Sequence, residues 1–225
     1  MEQQLIVLLT TAIGLGFLHT VLGPDHYVPF IAIARARQWS TKKTAWITGI
    51  CGLAHVGSSV VIGLFGIGLS IKLTQLEALE AFRGSVAGWL IIAFGLAYLV
   101  WGISKAVSFH HREKVMDNLE KESGDSAKKS YKQLIPWMLF VVFIFGPCEP
   151  LIPVLMAPAA EVSTAGMILV AVVFGIVTVG TMLLLVLVPQ FGLQKLHFPA
   201  LKRYGHALAG GLILFSGIGI QFLGL

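Results

Sequence analysis

The stretch Gly23-Pro24-Asp25-His26 interrupts the first long apolar run of the chain, and a weaker copy, Gly146-Pro147-Cys148-Glu149, interrupts a later one. Proline removes a backbone hydrogen bond and crowds the preceding helical turn, so each motif predicts a break in a helix. Inside a bilayer, unwound backbone is tolerated only where it is buried in protein or lines a wet cavity. Asp25 and Glu149 are also the only carboxylates in the segments predicted below to span the membrane. Both motifs are therefore candidate functional elements.

Apolar residues dominate the composition of the chain. Of its 225 residues, 56% are hydrophobic and only 12% are charged, and the mean hydropathy is +0.84. A soluble domain of this size carries about twice that charged fraction. Apolar runs of about 20 residues recur along the length, which indicates membrane-spanning helices. The net charge of +5 does not indicate nucleic-acid binding, because the basic residues lie between these runs. We predict a polytopic protein in the lipid bilayer with no nucleic-acid partner.

Six spans follow from the apolar runs, at residues 5–34, 45–71, 84–106, 134–160, 163–189 and 205–225. Fourteen of the 16 Lys and Arg residues lie after the first, third and fifth spans, and only Lys72 and Arg83 lie on the other side. Cytoplasmic loops are enriched in Lys and Arg, so both termini are predicted to lie on the non-cytoplasmic side of a bacterial-type inner membrane. The N-terminal segment lacks the basic region of a signal peptide and is counted as the first span.

The first three spans and the last three are related by a sequence repeat. A shift of 123 residues carries Gly23-Pro24 onto Gly146-Pro147, and it also aligns residues 52–58 with residues 175–181. An odd number of spans in each repeat requires opposite orientations in the membrane, as in inverted-repeat transporters whose sites form where broken helices meet. The predicted fold is all-α, with one three-helix repeat at 1–107, a polar cytoplasmic linker at 108–133 and a second repeat at 134–225.

Ionisable and sulfur side chains gather in and around the two motifs. A carboxylate at the centre of a membrane helix costs about 3 kcal/mol unless it is compensated. Imidazole, carboxylate and thiol groups together suit Ni²⁺, Co²⁺ or Zn²⁺, and they suit Mg²⁺ or Ca²⁺ poorly. The predicted metal ligands are His19, Asp25, His26, His55, Cys148 and Glu149, and the predicted helix-break or gating positions are Gly23, Pro24, Gly146, Pro147 and Pro150.

Several of these residues also have a plain structural interpretation. Asp25 could cap the second half of a kinked helix, because Asp is a favoured N-cap residue. A single His55 is more often a core histidine bonded to a carbonyl or a nearby serine, and a single Cys51 more often serves packing. Two cysteines are too few for a disulfide framework, so Cys51 and Cys148 stand as buried thiols, redox groups or metal ligands.

Signatures of catalysis and of ATP hydrolysis are missing from the sequence. Without a P-loop, transport would be driven by a gradient or by a partner protein. We therefore expect a transporter rather than an enzyme, with a transported metal ion of the Ni, Co or Zn class and no tightly bound cofactor. A homo-oligomer, or a metal-delivery protein at the cytoplasmic loops, is the expected partner.

The segment Gly16-Phe-Leu-His19-Thr-Val-Leu-Gly-Pro-Asp25-His26 resembles the nickel/cobalt transporter families, most closely the urease-accessory-type (UreH-like) and NicO-type membrane proteins of the lysine-exporter superfamily. The resemblance extends to Gly-Leu-Ala-His55 and to Gly-Pro-Cys148-Glu149-Pro. It implies a metal transporter whose ligands are the histidines and the aspartate of the first segment, supported by His55. The chain departs from the nickel permeases in its His-x5-Asp-His spacing, and it lacks the His-rich loop of nickel effluxers.

The Gly-Pro-Cys148-Glu-Pro motif also resembles one of the two Pro-Cys motifs of the CcdA/DsbD-type electron conduits. This resemblance implies an alternative function, thiol–disulfide electron transfer through Cys51 and Cys148. The repeat-equivalent position in the first span holds Asp25 rather than cysteine, so metal transport is the leading prediction. A third alternative, export of a small anion such as sulfite, fits poorly with two buried carboxylates.

Overall fold

The structure is a computed structural model that describes residues 2–112, 125–148, 150–156, 163–193 and 199–223. All regular secondary structure in these ranges is helical. In chain order it comprises α1 (Glu2–Leu22), a 3-10 helix (Pro24–His26), α2 (Val28–Ala36), α3 (Thr41–Gly68), α4 (Leu73–Arg112), α5 (Asp125–Phe145), α6 (Leu151–Met156), α7 (Thr164–Leu193) and α8 (Pro199–Leu223).

Five helical segments of the described chain are long and apolar enough to cross a membrane: Gln3–Leu22, Thr41–Gly68, Leu73–Val107, Thr164–Gly192 and Tyr204–Phe222. The stretch Ile135–Phe145 of α5 is a shorter apolar helix. Large apolar side chains such as Trp46, Phe82 and Phe215 lie on the outer surface, where lipid would cover them. The prediction of an all-α integral membrane protein is confirmed, with five to six apolar helices in the described residues where the sequence predicts six spans.

The first Gly-Pro motif breaks its helix. Helix α1 ends at Leu22, the 3-10 turn Pro24–His26 follows, and α2 restarts the helix at Val28. Gly23 is extended, with φ −86° and ψ 98°, and its N–H donates to the carbonyl of His19 at 3.0 Å. The first predicted span is therefore two helical segments joined by a tight turn.

The second Gly-Pro motif also separates two helices. Helix α5 ends at Phe145, residues 146–148 are non-helical, and the short α6 begins at Leu151. The N–H of Leu151 donates to the carbonyl of Cys148 at 2.9 Å, which begins the new helix. Glu149, a predicted metal ligand, lies outside the described residues.

The third span begins earlier than its apolar run suggests. Helix α4 starts at Leu73 rather than near residue 84, and it carries Glu80 and Arg83 into the bundle at 1% and 8% exposure. The prediction that Asp25 and Glu149 are the only carboxylates inside the spans is therefore wrong, and so is the placing of Arg83 in a loop. Glu80 and Arg83 form an ion pair. Each side chain neutralises the charge of the other, so both can be buried in an apolar interior.

The predicted linker at 108–133 overlaps two helices. Helix α4 continues to Arg112, and α5 begins at Asp125, so helix covers both ends of the linker. Residues 113–124 lie outside the described part of the chain. The division into a first repeat, a linker and a second repeat stays a prediction.

Packing places α3 beside both broken segments. Helix α3 contacts α5, α6 and α7, while α1 packs on α7 and α4 packs on α8. The α4–α8 contact is backbone to backbone, because a Cβ added at Gly95 or Gly210 would overlap the main chain of Leu214 or Leu99. Small residues allow this close approach between membrane helices. The side chains of α3 can consequently reach both Gly-Pro breaks.

Candidate metal centre

Three histidines from three separate elements meet beside the first break. His19 lies in the last turn of α1, His26 ends the 3-10 turn, and His55 projects from the middle of α3. One ring nitrogen from each lies within 4.8 Å of the others. The ring centroids are 4.6 Å apart for His19 and His26 and 5.0 Å apart for His26 and His55. Three of the six predicted ligands thus form one cluster.

The orientation of His26 is fixed by acceptors on one side of its ring. Its Nδ1 lies 3.0 Å from Oδ1 of Asp25 and 3.1 Å from the carbonyl of Gly23. Both partners accept hydrogen bonds, so Nδ1 carries the proton and a neutral His26 presents the lone pair of Nε2 to the cluster. A carboxylate that holds the far nitrogen of a metal-binding imidazole is a common supporting arrangement. Asp25, a quarter of whose side chain is exposed, stands in that supporting position.

The cluster is shielded from solvent and incompletely satisfied. His26 and His55 are each 2% exposed, and Nε2 of His19 is buried without a hydrogen-bond partner among the described residues. An unsatisfied buried polar atom costs about 1–3 kcal/mol. A cation that accepts the imidazole lone pairs would remove this cost, so the donor set fits a metal ion.

The spacing of the two buried rings agrees with metal coordination. Nε2 of His26 and Nε2 of His55 are 3.3 Å apart, a distance at which one ring can donate a hydrogen bond to the other when no ion is bound. Two nitrogens bound to one tetrahedral Zn²⁺ at about 2.0–2.1 Å would be separated by about 3.4 Å. Imidazole ligands suit Zn²⁺, Ni²⁺ and other late divalent ions, and a three-nitrogen site leaves at least one coordination position open.

Both motif glycines lie against the imidazoles of the cluster. A Cβ on Gly23 would lie 2.5 Å from Nδ1 of His26, and a Cβ on Gly146 would lie 3.1 Å from Nδ1 of His55. Glycine at these two positions lets the broken backbone approach the rings. The two breaks therefore meet at the histidine cluster, the first through His26 and the second through its backbone next to His55.

The second break is held by polar groups of α3 and α4. The N–H of Cys148 donates to Oγ of Ser59 at 3.1 Å and to Oε2 of Glu80 at 3.2 Å. Oγ of Ser59 also donates to Oε2 of Glu80, at 3.1 Å. These contacts satisfy backbone that the loss of helix leaves without its own partners. The Cys148 side chain is fully buried, in an apolar cluster that includes Val56 and Leu151.

Arg83 completes this network from α4. It is paired with Glu80 and donates to Oγ of Ser58 at 2.7 Å and to the carbonyl of Ile144 at 2.8 Å. The carbonyl of Gly146 lies 3.4 Å from the same guanidinium. The last carbonyls of α5, which have no helical partner, are thereby satisfied. The sequence prediction missed this network, although Glu and Arg three residues apart beside an apolar run are a visible signal of pairing.

The two cysteines occupy different parts of the bundle. Cys51 packs in one apolar cluster and Cys148 in another, and neither forms a disulfide. Cys51 precedes Ser59, the partner of the Cys148 amide, by eight residues of α3, which is a rise of about 12 Å. A disulfide requires Cα atoms within about 7 Å. The structure therefore does not bring the two predicted redox cysteines together.

The remaining predicted positions can each be located relative to the two breaks and the histidine cluster. Pro24, Pro147 and Pro150 lie at the two breaks, as a gating role would require. Cys148 is at the second break but is not among the residues whose ligand atoms form the cluster. Of the predicted metal ligands, three are grouped, Asp25 supports one of them, and the position of Glu149 is not described.

A protein-family model, described as the cytochrome c biogenesis protein transmembrane region, matches residues 29–219. No match exists among the curated proteins or the solved structures compared with the chain. The matched region includes His55, Cys51 and Cys148, and it begins just after the 3-10 turn that holds His26.

Proposed function

The chain belongs to the family of the cytochrome c biogenesis protein transmembrane region, and we propose that it carries a divalent transition-metal ion across the membrane. One observation carries this proposal: His19, His26 and His55 present ring nitrogens within 4.8 Å of one another inside an apolar bundle. Ionisable groups are expensive in such an interior and mark ion pathways or relays in membrane proteins. Coordination of a transported cation by one nitrogen of each ring would explain why the three histidines converge.

Family membership agrees with the resemblance to CcdA/DsbD-type proteins noted from Gly-Pro-Cys148. Taken alone, it favours the electron conduit over metal transport, so thiol–disulfide electron transfer through Cys51 and Cys148 is the second candidate function. The rise of about 12 Å along α3 from Cys51 to Ser59, which holds the Cys148 amide, counts against it. The two cysteines would have to move towards each other to form a disulfide. Membership of the UreH-like or NicO-type families remains a proposal.

The proposed ion is held by neutral imidazoles, with Asp25 offsetting part of its charge through His26. Ni²⁺, Co²⁺ and Zn²⁺ all suit such a donor set. Glu149 remains a proposed ligand from the second break, and the Cys148 thiol, which lies outside the cluster, is an optional soft ligand whose loss costs little affinity. A site with an open coordination position releases its ion more readily than a closed structural cage, and conduction requires release. The protein is proposed to act as a secondary transporter in a bacterial-type inner membrane, with both termini non-cytoplasmic.

The helix packing supports the proposed inverted repeat. If residues 1–107 and 134–225 are equivalent units, α1 against α7 is the counterpart of α5 against α3, and α4 against α8 maps onto itself. All of these contacts are present. Alternating access would come from one unit rocking against the other around the site.

Metal binding to the purified full-length protein tests the proposal directly. In titration calorimetry with Zn²⁺, Co²⁺ and Ni²⁺, we expect His26→Ala and His55→Ala each to weaken binding at least tenfold, since each removes one of three nitrogens. His206→Ala is the matched control, because His206 lies in α8 and bonds Tyr98 at 2.9 Å, outside the cluster. Uptake of the same ions into proteoliposomes should fall in parallel.

Two results separate the candidate functions. Unchanged metal affinity in both site variants would overturn the metal proposal. Normal metal uptake by a Cys51→Ser/Cys148→Ser protein would overturn the electron conduit as the source of that activity.

A further inference from the structure

One face of α3 is polar along most of its buried length. Thr44, Thr48, Cys51, His55 and Ser59 follow at spacings of three or four residues, so they project from the same side of the helix. Each is at most 2% exposed. A helix inside an apolar bundle normally buries aliphatic side chains on such a face. Packing alone therefore does not explain the row.

The row differs on the two sides of His55. Towards the end of α3, Ser59 is bonded to Glu80, to Arg83 and to the amide of Cys148. Towards the start of α3, Oγ1 of Thr48 has no partner among the described residues. The first side is closed by a hydrogen-bond network. On the second side Thr44 donates to the carbonyl of Ser40 at 3.1 Å, and the hydroxyl of Thr48 is left unsatisfied.

Helix α7 supplies the opposite wall on the unsatisfied side. Nε2 of Gln190 donates to the carbonyl of Trp39 at 3.0 Å and to Oγ1 of Thr44 at 3.3 Å, while its Oε1 has no described partner. Nearer the histidines, Oγ1 of Thr178 is also buried without a described partner, on the side of α7 that faces Gly16 of α1. Between Gln190 and Thr178, a Cβ on Gly52 would lie 3.1 Å from Sδ of Met182, so the helices pack closely there.

Two unpartnered oxygens thus lie where α3 meets α7, on Thr48 and Gln190, and a third, on Thr178, lies at the histidine end of this contact beside α1. Each of these residues is at least nine-tenths buried. Buried polar atoms in native proteins are almost always satisfied by protein, water or an ion. Hydroxyl and amide oxygens suit water and a partly hydrated cation, and the Cys51 thiol adds a soft donor midway.

We propose that the α3–α7 seam, formed by Thr44, Thr48, Cys51 and Gln190 with Thr178 at its histidine end, is a hydrated route for the ion between the three-histidine site and the end of the bundle where α3 begins. The route is narrowest where Gly52 packs against Met182. The nature of the cargo rests on the proposed function. Thr44 and His55 are eleven residues apart on α3, so the route is about 16 Å long. Polar groups spaced one helical turn apart would replace the water molecules around the ion one after another as it moves along the route.

The labelling rate of the Cys51 thiol measures whether water reaches this route. Full-length protein in sealed vesicles of both orientations would be treated with a charged, membrane-impermeant methanethiosulfonate, and labelled sites would be mapped by mass spectrometry. We expect Cys51 to react at least tenfold faster than Cys148, from one side only, and Zn²⁺ to slow it. Val61→Cys, on the lipid-facing surface of the same helix, is the control and should stay unreactive.

Transport of Zn²⁺ tests the hydroxyls. We expect Thr48→Val and Thr178→Val each to slow uptake into proteoliposomes about tenfold while leaving equilibrium Zn²⁺ affinity unchanged, because the site itself is intact. Thr10→Val is the matched control, since Thr10 is exposed and its hydroxyl bonds carbonyls of its own helix. Its uptake should equal that of the wild type.

The outcomes separate this proposal from the proposed function. If the wild type binds Zn²⁺ but Cys51 reacts no faster than Cys148 and both valine variants transport normally, the route is wrong and the site stands. If Zn²⁺ neither binds nor moves while Cys51 is labelled from one side, the hydrated seam stands and the metal proposal fails.

Discussion

The two Gly-Pro breaks have related sequences but are held in different ways. At the first, the break satisfies itself, because His26 bonds Asp25 and the Gly23 carbonyl within the same turn. At the second, the partners come from other helices, chiefly Glu80 and Arg83 of α4. The first break presents a side chain to the histidine cluster, and the described residues of the second, Gly146–Cys148, reach it through backbone at Gly146. Two motifs of related sequence are thus built into the bundle in two different ways.

The largest effect should follow from removing the contacts that hold the second break in place. Arg83→Gln leaves Glu80 buried without its cation and removes the donors to the Ile144 carbonyl, so we expect a loss of about 3–5 kcal/mol in stability. Thermal or denaturant unfolding in detergent measures it. Adding Glu80→Gln to this variant should recover part of the loss, since no uncompensated charge remains. A single variant as stable as the wild type would show that the ion pair does not hold the break.

An intermediate effect should follow from disturbing the first break. Asp25→Asn keeps the shape of the side chain but removes the carboxylate that orients His26, so Zn²⁺ affinity should fall about 10–100-fold. Calorimetric titration gives this value, and the unfolding midpoint should move little because Asp25 is partly exposed. An affinity within twofold of the wild type would rule out a supporting role for Asp25.

The smallest effect should come from the thiol of the second break. Cys148 contributes its backbone N–H to the network, and serine retains that group, so Cys148→Ser should change Zn²⁺ affinity less than twofold. Uptake into proteoliposomes should also be near the wild-type rate. A collapse of uptake in this variant, with Asp25→Asn still active, would reverse the roles of the two breaks and favour electron transfer.

Local chemistry explains which parts of the structure could be predicted from sequence. The breaks follow from proline and glycine themselves, and His19 and His26 lie only seven residues apart, so the interrupted helix brings them together. His55 could be added because it is an imidazole in an apolar run. These predictions depend on few contacts between distant parts of the chain.

Tertiary register explains what the sequence did not reveal. The distance between Cys51 and Cys148 depends on where the second break meets α3, and no local pattern encodes that position. The sequence does not predict the burial of Glu80 and Arg83, because a stretch with several charges is typical of a loop unless the charges pair with each other. The inverted repeat stays a prediction that the helix contacts support.

The glycine contacts between α4 and α8 limit how these two helices can move against each other. Where two helices touch through their main chains, no layer of side chains lies between them to be rearranged, and packed interiors resist gradual sliding. One helix belongs to each proposed three-helix unit. If one unit rotates against the other as proposed, we expect this contact to act as the fulcrum, with displacement growing with distance from it.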